Sequence, residues 1–175
     1  MLDEKRIKEA EQNLRIYWAD NLIKKSAFQE IVFSVLKRNS KDSLEIAELL
    51  NQQKKSDLWI IVTSYYSMYY IANAVIYTLG YKIGEKISHK VTADALIVYV
   101  RDKLKSKFIE SYEEAKNEAL AGIKTDSLIE MFDFERNKRS AIQYETTEEI
   151  KHSKAVTSLN RAKEFLFEME KFLEK

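Results

Sequence analysis

The sequence predicts an all-α protein, an antiparallel up-and-down bundle of about five to seven helices with a long buried central helix. The 175 residues include no proline and only three glycines, whereas β-sandwiches and barrels need many tight turns. Apolar residues make up 45% of the chain, which is typical of a globular protein and excludes general disorder. They recur at helical spacing along most of the chain, and its length favours a single domain.

The first 53 residues contain the apolar patterns of two helices. Residues 3–25 are predicted to form the first helix, with apolar positions at Ile7, Ala10, Leu14, Tyr17, Trp18 and Leu22. Residues 27–53 are predicted to form one long helix, because the apolar period continues through the polar sequence between Arg38 and Lys41. Asn39 and Ser43 are polar exceptions on its inner face.

The next helix is rich in tyrosine, since half of the ten tyrosines lie between Tyr65 and Tyr77. It is predicted to follow the N-cap residue Ser56 and to end at Gly80. Its helical projection has no polar face, and a helix that is apolar all round lies in the middle of a bundle. The tyrosine hydroxyls then need partners inside the protein or in a cleft. One side carries Trp59, Thr63, Tyr66, Tyr70, Asn73 and Tyr77, and the other carries Ile61, Met68, Ala72, Val75 and Leu79.

The second half of the chain is predicted to hold a connector and four helices. Residues 81–87 form the connector, and Ser88 caps a helix over residues 89–105. A weaker helix over residues 109–121 ends at Gly122, and another covers residues 127–143. The last helix covers residues 147–173 and opens with the capping box of Thr146 and Glu149. Its inner stripe is Ala155, Leu159, Ala162, Leu166, Met169 and Leu173.

Composition limits the possible functions. A formal net charge of +1 gives no general attraction to nucleic acid or to a membrane. Because there is no cysteine, no long apolar stretch and no signal peptide, we expect a cytoplasmic protein that does not contact a membrane. The two histidines, His89 and His152, are far apart, and the sequence lacks the two paired Glu-x-x-His motifs of a di-iron bundle, so neither a metal site nor a cofactor is predicted.

Two polar groupings remain as candidate sites. His89, in the sequence Ser88-His89-Lys90, is interpreted either as a polar group near a helix cap or as a catalytic or binding histidine. The second grouping combines Arg136, Asn137 and Arg139 with Tyr144. It is interpreted either as a surface cluster paired with nearby glutamates or as a clamp for a phosphate.

The tyrosine helix and both groupings resemble the HEPN family (higher eukaryotes and prokaryotes nucleotide-binding domain). The sequence YYSMYYIANA from Tyr65 onward, with Gly80 and Ser88-His89-Lys90 after it, is similar to the central helix of that family and the start of its next helix. The sequence RSAIQY, which ends at Tyr144, resembles the family's Arg-x-x-Ala-Asp-Tyr segment. Ala162 and Phe165 resemble its closing helix. The resemblance covers residues 27–173 and leaves residues 1–26 as an N-terminal extension of a single domain.

The resemblance implies a helical bundle that is usually dimeric. Many members are ribonuclease toxins or partners of small nucleotidyltransferases in toxin–antitoxin pairs. Their catalytic signature is an arginine, often followed by a polar residue, with a histidine a few residues later. Arg136 and Asn137 match its beginning, but no histidine occurs at the expected place. Tyr144 is a poor substitute for a group that must gain or lose a proton near neutral pH.

Three functions are therefore compatible with the sequence. The leading hypothesis is a HEPN-like module that binds a nucleotide or RNA as a homodimer, with weak or no catalysis and with a small nucleotidyltransferase as its candidate partner. Its predicted binding residues are Arg136, Arg139, Tyr144, His89, Tyr66, Tyr70 and Asn73. The first alternative is a metal-independent ribonuclease that acts through Arg136, Asn137 and Tyr144 in a cleft between subunits. The second is a helical scaffold in which the tyrosines only fill the core.

Overall fold

The computed structural model of the protein describes residues 2–136 and 152–174, with side chains given for residues 2–123 and 152–174. It is 80% helical, which confirms the predicted all-α bundle. A two-stranded antiparallel sheet and one short 3-10 turn, Arg101–Lys103, accompany the helices in this part of the chain. The helices are α1 (Glu4–Ala19), α2 (Glu30–Gln52), α3 (Asp57–Thr78), α4 (Ser88–Tyr99), α5 (Ser106–Arg136) and α6 (His152–Leu173), and the strands are β1 (Ile23–Lys25) and β2 (Tyr81–Ile83).

The tyrosine-rich helix α3 is the centre of the bundle, as predicted. Helices α2, α4, α5 and α6 all pack against it. Ser56 accepts a hydrogen bond from the backbone N–H of Trp59, which confirms it as the N-cap. After the helix, Gly80 has a φ of +88°, a conformation that glycine adopts without steric cost. Both predicted ends of this helix are therefore correct to within a residue or two.

Helix α2 runs antiparallel to α3. The hydroxyl of Ser40 donates to the backbone oxygen of Ser67 (2.8 Å), and the hydroxyl of Tyr77 donates to the backbone oxygen of Ala27 (3.0 Å). The partners thus occur in opposite order along the two segments. Ser40 and Ala47 are the buried residues of α2, so most of this helix lies at the surface of the protomer.

Helix α5 is continuous through Gly122, so the predicted break at this residue is wrong. A Cβ atom at Gly122 would collide with the side chain of Leu58 in α3. The glycine therefore allows α5 to approach α3 closely, and does not end the helix. A glycine inside a helix costs only about 1 kcal/mol relative to alanine, which the burial of neighbouring residues can offset.

The region around the small sheet also differs from the prediction. Helix α1 ends at Ala19, near Asn21 with its positive φ of 55°, and residues 23–25 form β1. This strand pairs with β2, which occupies the first three residues of the predicted connector, and Ile23 lies opposite Ile83. The N-cap residue of α4 is Ile87, and Ser88 is already the first helical residue, so Ser88 is not the cap.

A buried carboxylate attaches α1 to α4. Asp94 is fully buried and accepts hydrogen bonds from Arg6 (2.6 Å), Asn13 (3.0 Å) and Tyr17 (2.9 Å). Arg6 also contacts Glu113 of α5 at 2.7 Å, so the network joins three helices.

The inner stripe predicted for α6 is confirmed at every position but one. Ala155, Leu159, Ala162, Leu166 and Met169 are buried, whereas Leu173 is only partly buried. The predicted capping box of Thr146 and Glu149 lies outside the described residues. None of the described helices is long and apolar enough to cross a lipid bilayer.

Candidate functional site

One side of α3 remains partly exposed, and it is the side on which the sequence places the tyrosines. The other sides of the helix are covered by α2, α4, α5 and α6. Trp59 is 50% exposed, and the remaining members of the stripe are partly buried. Tyr77, which was predicted on the same side, is buried and bonded to the segment before α2. We call the stripe the tyrosine ridge; it consists of Trp59, Thr63, Tyr66, Tyr69, Tyr70 and Asn73.

His89 packs against the ridge from the first turn of α4. Its ring centroid lies 4.6 Å from that of Tyr69, 5.8 Å from that of Tyr66 and 5.5 Å from that of Tyr65. Its Nδ1 atom is 2.7 Å from the hydroxyl oxygen of Tyr65. Tyr70 continues the cluster, with ring centroids 6.0 Å from Tyr66 and 5.4 Å from Tyr69. The structure thus brings together three residues predicted for the site, His89, Tyr66 and Tyr70.

Burial controls the protonation of this cluster. Burial and the nearby charge of Lys116 lower the pKa of His89, so its imidazole is neutral at neutral pH. Burial also raises the pKa of Tyr65 and of Tyr70, and their phenol groups stay protonated. The cluster therefore offers neutral hydrogen-bonding groups and aromatic faces.

Lys116 of α5 supplies positive charge next to His89. Burial lowers the pKa of this lysine, and Glu113 and Asp94 act in the opposite direction. Lys116 forms no ion pair with any side chain that the structure describes. Sequence reasoning did not select this lysine, although a signal for it exists: Lys116 comes one helical turn after the buried Tyr112 and so occupies the inner side of α5.

Asn73, another predicted binding residue, connects α3 to α4. Its amide nitrogen donates to the backbone oxygen of Tyr69 (2.8 Å) and to the hydroxyl of Thr92 (3.2 Å). These bonds fix the end of the ridge beside α4, and both of them use the amide N–H groups of Asn73.

Of the second predicted grouping, the structure describes only the backbone of Arg136. Arg136 is the last residue of α5, 20 residues after Lys116. At the helical rise per residue, its backbone lies about 30 Å farther along the helix axis. The side chain of Arg136 is outside the described set, as are Asn137, Arg139 and Tyr144. The described side chains contain no group of three or more histidine, aspartate or glutamate residues placed to hold a metal ion.

Comparisons of the chain with protein-family models, with curated proteins and with solved structures find no match. What points to a function is therefore the geometry of the ridge and the resemblance of its sequence.

Proposed function

We propose that this protein is a HEPN-like module that binds a nucleotide or RNA on the tyrosine ridge. The observation that carries the proposal is a row of partly exposed aromatic rings beside His89 and Lys116. Nucleobases stack on such rings whatever their identity, and a nearby lysine attracts the phosphate groups. The resemblance of residues 65–90 to the central region of the HEPN family supports the same ligand class.

Two features favour binding over ribonuclease activity. Burial raises the pKa of Tyr65 and of Tyr70, so neither phenol is a good general base near neutral pH. The sequence also lacks the histidine of the family's catalytic signature. The ribonuclease alternative would depend on Arg136, Asn137 and Tyr144, none of which belongs to the ridge.

The scaffold alternative explains the buried tyrosines but not the ridge. Tyr65 and Tyr77 are buried and hydrogen-bonded, as core tyrosines normally are. Trp59, Tyr66 and Tyr70 keep part of their surface in solvent. A scaffold gains nothing from exposed aromatic rings, whereas a binding surface uses them.

The proposal includes a homodimer, a nucleotidyltransferase partner and a cytoplasmic location. The homodimer is supported by exposed apolar side chains on α2. The partner is supported by the family resemblance alone. The absence of cysteine supports the cytoplasm.

The decisive test is the affinity of the purified protein for a fluorescent single-stranded RNA and for a fluorescent nucleotide. Loss of one stacking ring costs about 1–3 kcal/mol, so Tyr66→Ala and Tyr70→Ala should each weaken binding by about 5-fold to 150-fold. Tyr66→Phe keeps the ring and should bind almost normally. Phe167→Ala is the matched control, because Phe167 is an aromatic residue of α6 with 58% exposure outside the ridge.

Equal affinities for the wild type and for the two alanine variants would contradict the proposal. The same RNA should be examined for cleavage on a gel. Cleavage that disappears in Arg136→Ala would favour the ribonuclease alternative.

A further inference from the structure

The hydrogen bond between Tyr65 and His89 determines which ring nitrogen is free to contact a ligand. The hydroxyl oxygen of Tyr65 lies 2.7 Å from Nδ1, a normal hydrogen-bond distance. Tyr65 is 0% exposed, and the ring of His89 packs against the rings of Tyr66 and Tyr69. No bond from a described residue reaches the other nitrogen, Nε2.

Burial and the neighbouring hydroxyl of Tyr112, which acts as a donor towards Tyr65, favour Tyr65 as the donor to His89. A buried hydroxyl proton needs an acceptor, and the phenol of Tyr65 keeps its proton. The neutral imidazole has one acceptor nitrogen and one N–H. If Tyr65 donates to Nδ1, that nitrogen is the acceptor and the hydrogen of the imidazole is on Nε2.

We infer that Tyr65 is a positioning residue that holds His89 as an Nε2–H donor, and that this donor and Lys116 bind a phosphate group of the ligand. This inference rests on the proposed function. It adds the chemical group recognised beside Tyr66 and Tyr69, a phosphate, and the residue that orients the His89 donor, Tyr65.

The charges around His89 favour an anion. The side chains that face it are Tyr65, Tyr66 and Tyr69 from α3 and Lys116 from α5. Two carboxylates that act on Lys116, Asp94 and Glu113, already pair with Arg6 at 2.6 and 2.7 Å. An Nε2–H group and an ammonium group are both donors, so their common ligand must be an acceptor. An oxygen atom of a phosphate fits this requirement.

Nitrogen NMR of the histidines tests the positioning role without any ligand. The protein has only two histidines, so His152→Gln assigns both signals. At neutral pH we expect His89 to be in the Nε2–H tautomer in the wild type and in a mixture of tautomers in Tyr65→Phe. Tyr69→Phe is the matched control, because its ring contacts His89 but no hydrogen bond joins its hydroxyl to the histidine. An Nδ1–H tautomer in the wild type, or no change in Tyr65→Phe, would overturn the inference.

Binding of three probes tests the ligand part: a nucleoside, the corresponding nucleoside monophosphate and a single-stranded RNA. His89→Ala and Tyr65→Phe should weaken binding of both phosphate-bearing probes at least several-fold more than they weaken binding of the nucleoside. His89→Gln keeps an N–H donor and should retain part of the affinity. Tyr66→Ala should weaken all three, and preference for RNA over the monophosphate would identify a phosphodiester as the source of the phosphate.

The outcomes separate this inference from the proposed function. Binding that depends on Tyr66 and Tyr70 but is unchanged in Tyr65→Phe and His89→Ala would overturn the inference alone. If none of the probes binds, the proposed function and the phosphate assignment both fail.

Discussion

At the scale of single residues, two buried serines in the helices that pack against α3 differ in the hydrogen bonding of their hydroxyl groups. The hydroxyl of Ser40 donates to the backbone of Ser67, whereas the buried hydroxyl of Ser158 in α6 has no partner among the described residues. A buried polar group without a partner costs about 1–3 kcal/mol, and a satisfied hydrogen bond contributes about 1 kcal/mol.

This difference predicts opposite effects of the same substitution. Ser158→Ala should leave the free energy of unfolding unchanged or raise it by up to about 1 kcal/mol, and Ser40→Ala should lower it by about 1 kcal/mol or more. Urea unfolding of the two variants and the wild type measures both effects. A clear loss of stability in Ser158→Ala would mean that its hydroxyl is satisfied in solution.

At the scale of elements, the attachment of α1 depends on Asp94. Asp94→Ala removes the acceptor shared by Arg6, Asn13 and Tyr17. Removing one partner of a buried pair costs about 3–5 kcal/mol, and we expect the lower end because Arg6 keeps Glu113. Amide hydrogen exchange should rise in α1 more than in α3. Lys163→Ala, which breaks an exposed pair with Glu48, is the control and should cost less than about 1 kcal/mol.

Equal increases of exchange in α1 and α3 would show that Asp94 stabilises the whole bundle and not the attachment of one helix. In that case α1 and the rest of the protein would unfold as one cooperative unit.

The elements that the sequence predicts well are those with long apolar periods. Helices α2 and α6 repeat their apolar pattern over many turns, and α3 is bounded by local signals, the Ser56 cap and Gly80. Strands β1 and β2 have only three residues each, too few for a period, and their pairing is a tertiary contact. Gly122 shows the limit of local signals, because its role depends on Leu58 in another helix.

The candidate site also has a part that the sequence predicts and a part that depends on contacts between helices. The helical projection places Tyr66, Tyr70 and Asn73 on one side of α3, and the structure leaves that side partly exposed. The contact between Tyr65 and His89 joins residues in two helices, so a projection of one helix cannot reveal it. The proximity of Lys116 to His89 depends on a third helix in the same way.

At the scale of the whole molecule, the outer side of α2 exposes an apolar surface that one protomer does not cover. Ile31 is 71% exposed, and Ile46 and Leu49, which lie within a narrow arc of the same helix side, are about half exposed. Trp59 begins the ridge on the adjacent helix. The exposed charged residues Arg38, Asp42 and Glu45 separate Ile31 from Ile46 and Leu49. We therefore propose the segment around Ile46 and Leu49 as the interface of the homodimer.

We therefore predict that the protein sediments as a dimer at micromolar concentration and that charges on α2 dissociate it. In the double variant Ile46→Glu and Leu49→Glu, each dimer would have to bury four new carboxylates, since a two-fold axis repeats every substitution. Analytical ultracentrifugation should show monomers with an unchanged helical circular dichroism spectrum. Phe167→Glu changes an equally exposed apolar residue of α6 and should remain dimeric. A wild type that stays monomeric at tens of micromolar would contradict the dimer, and any nucleotide or RNA would then have to bind within a single protomer.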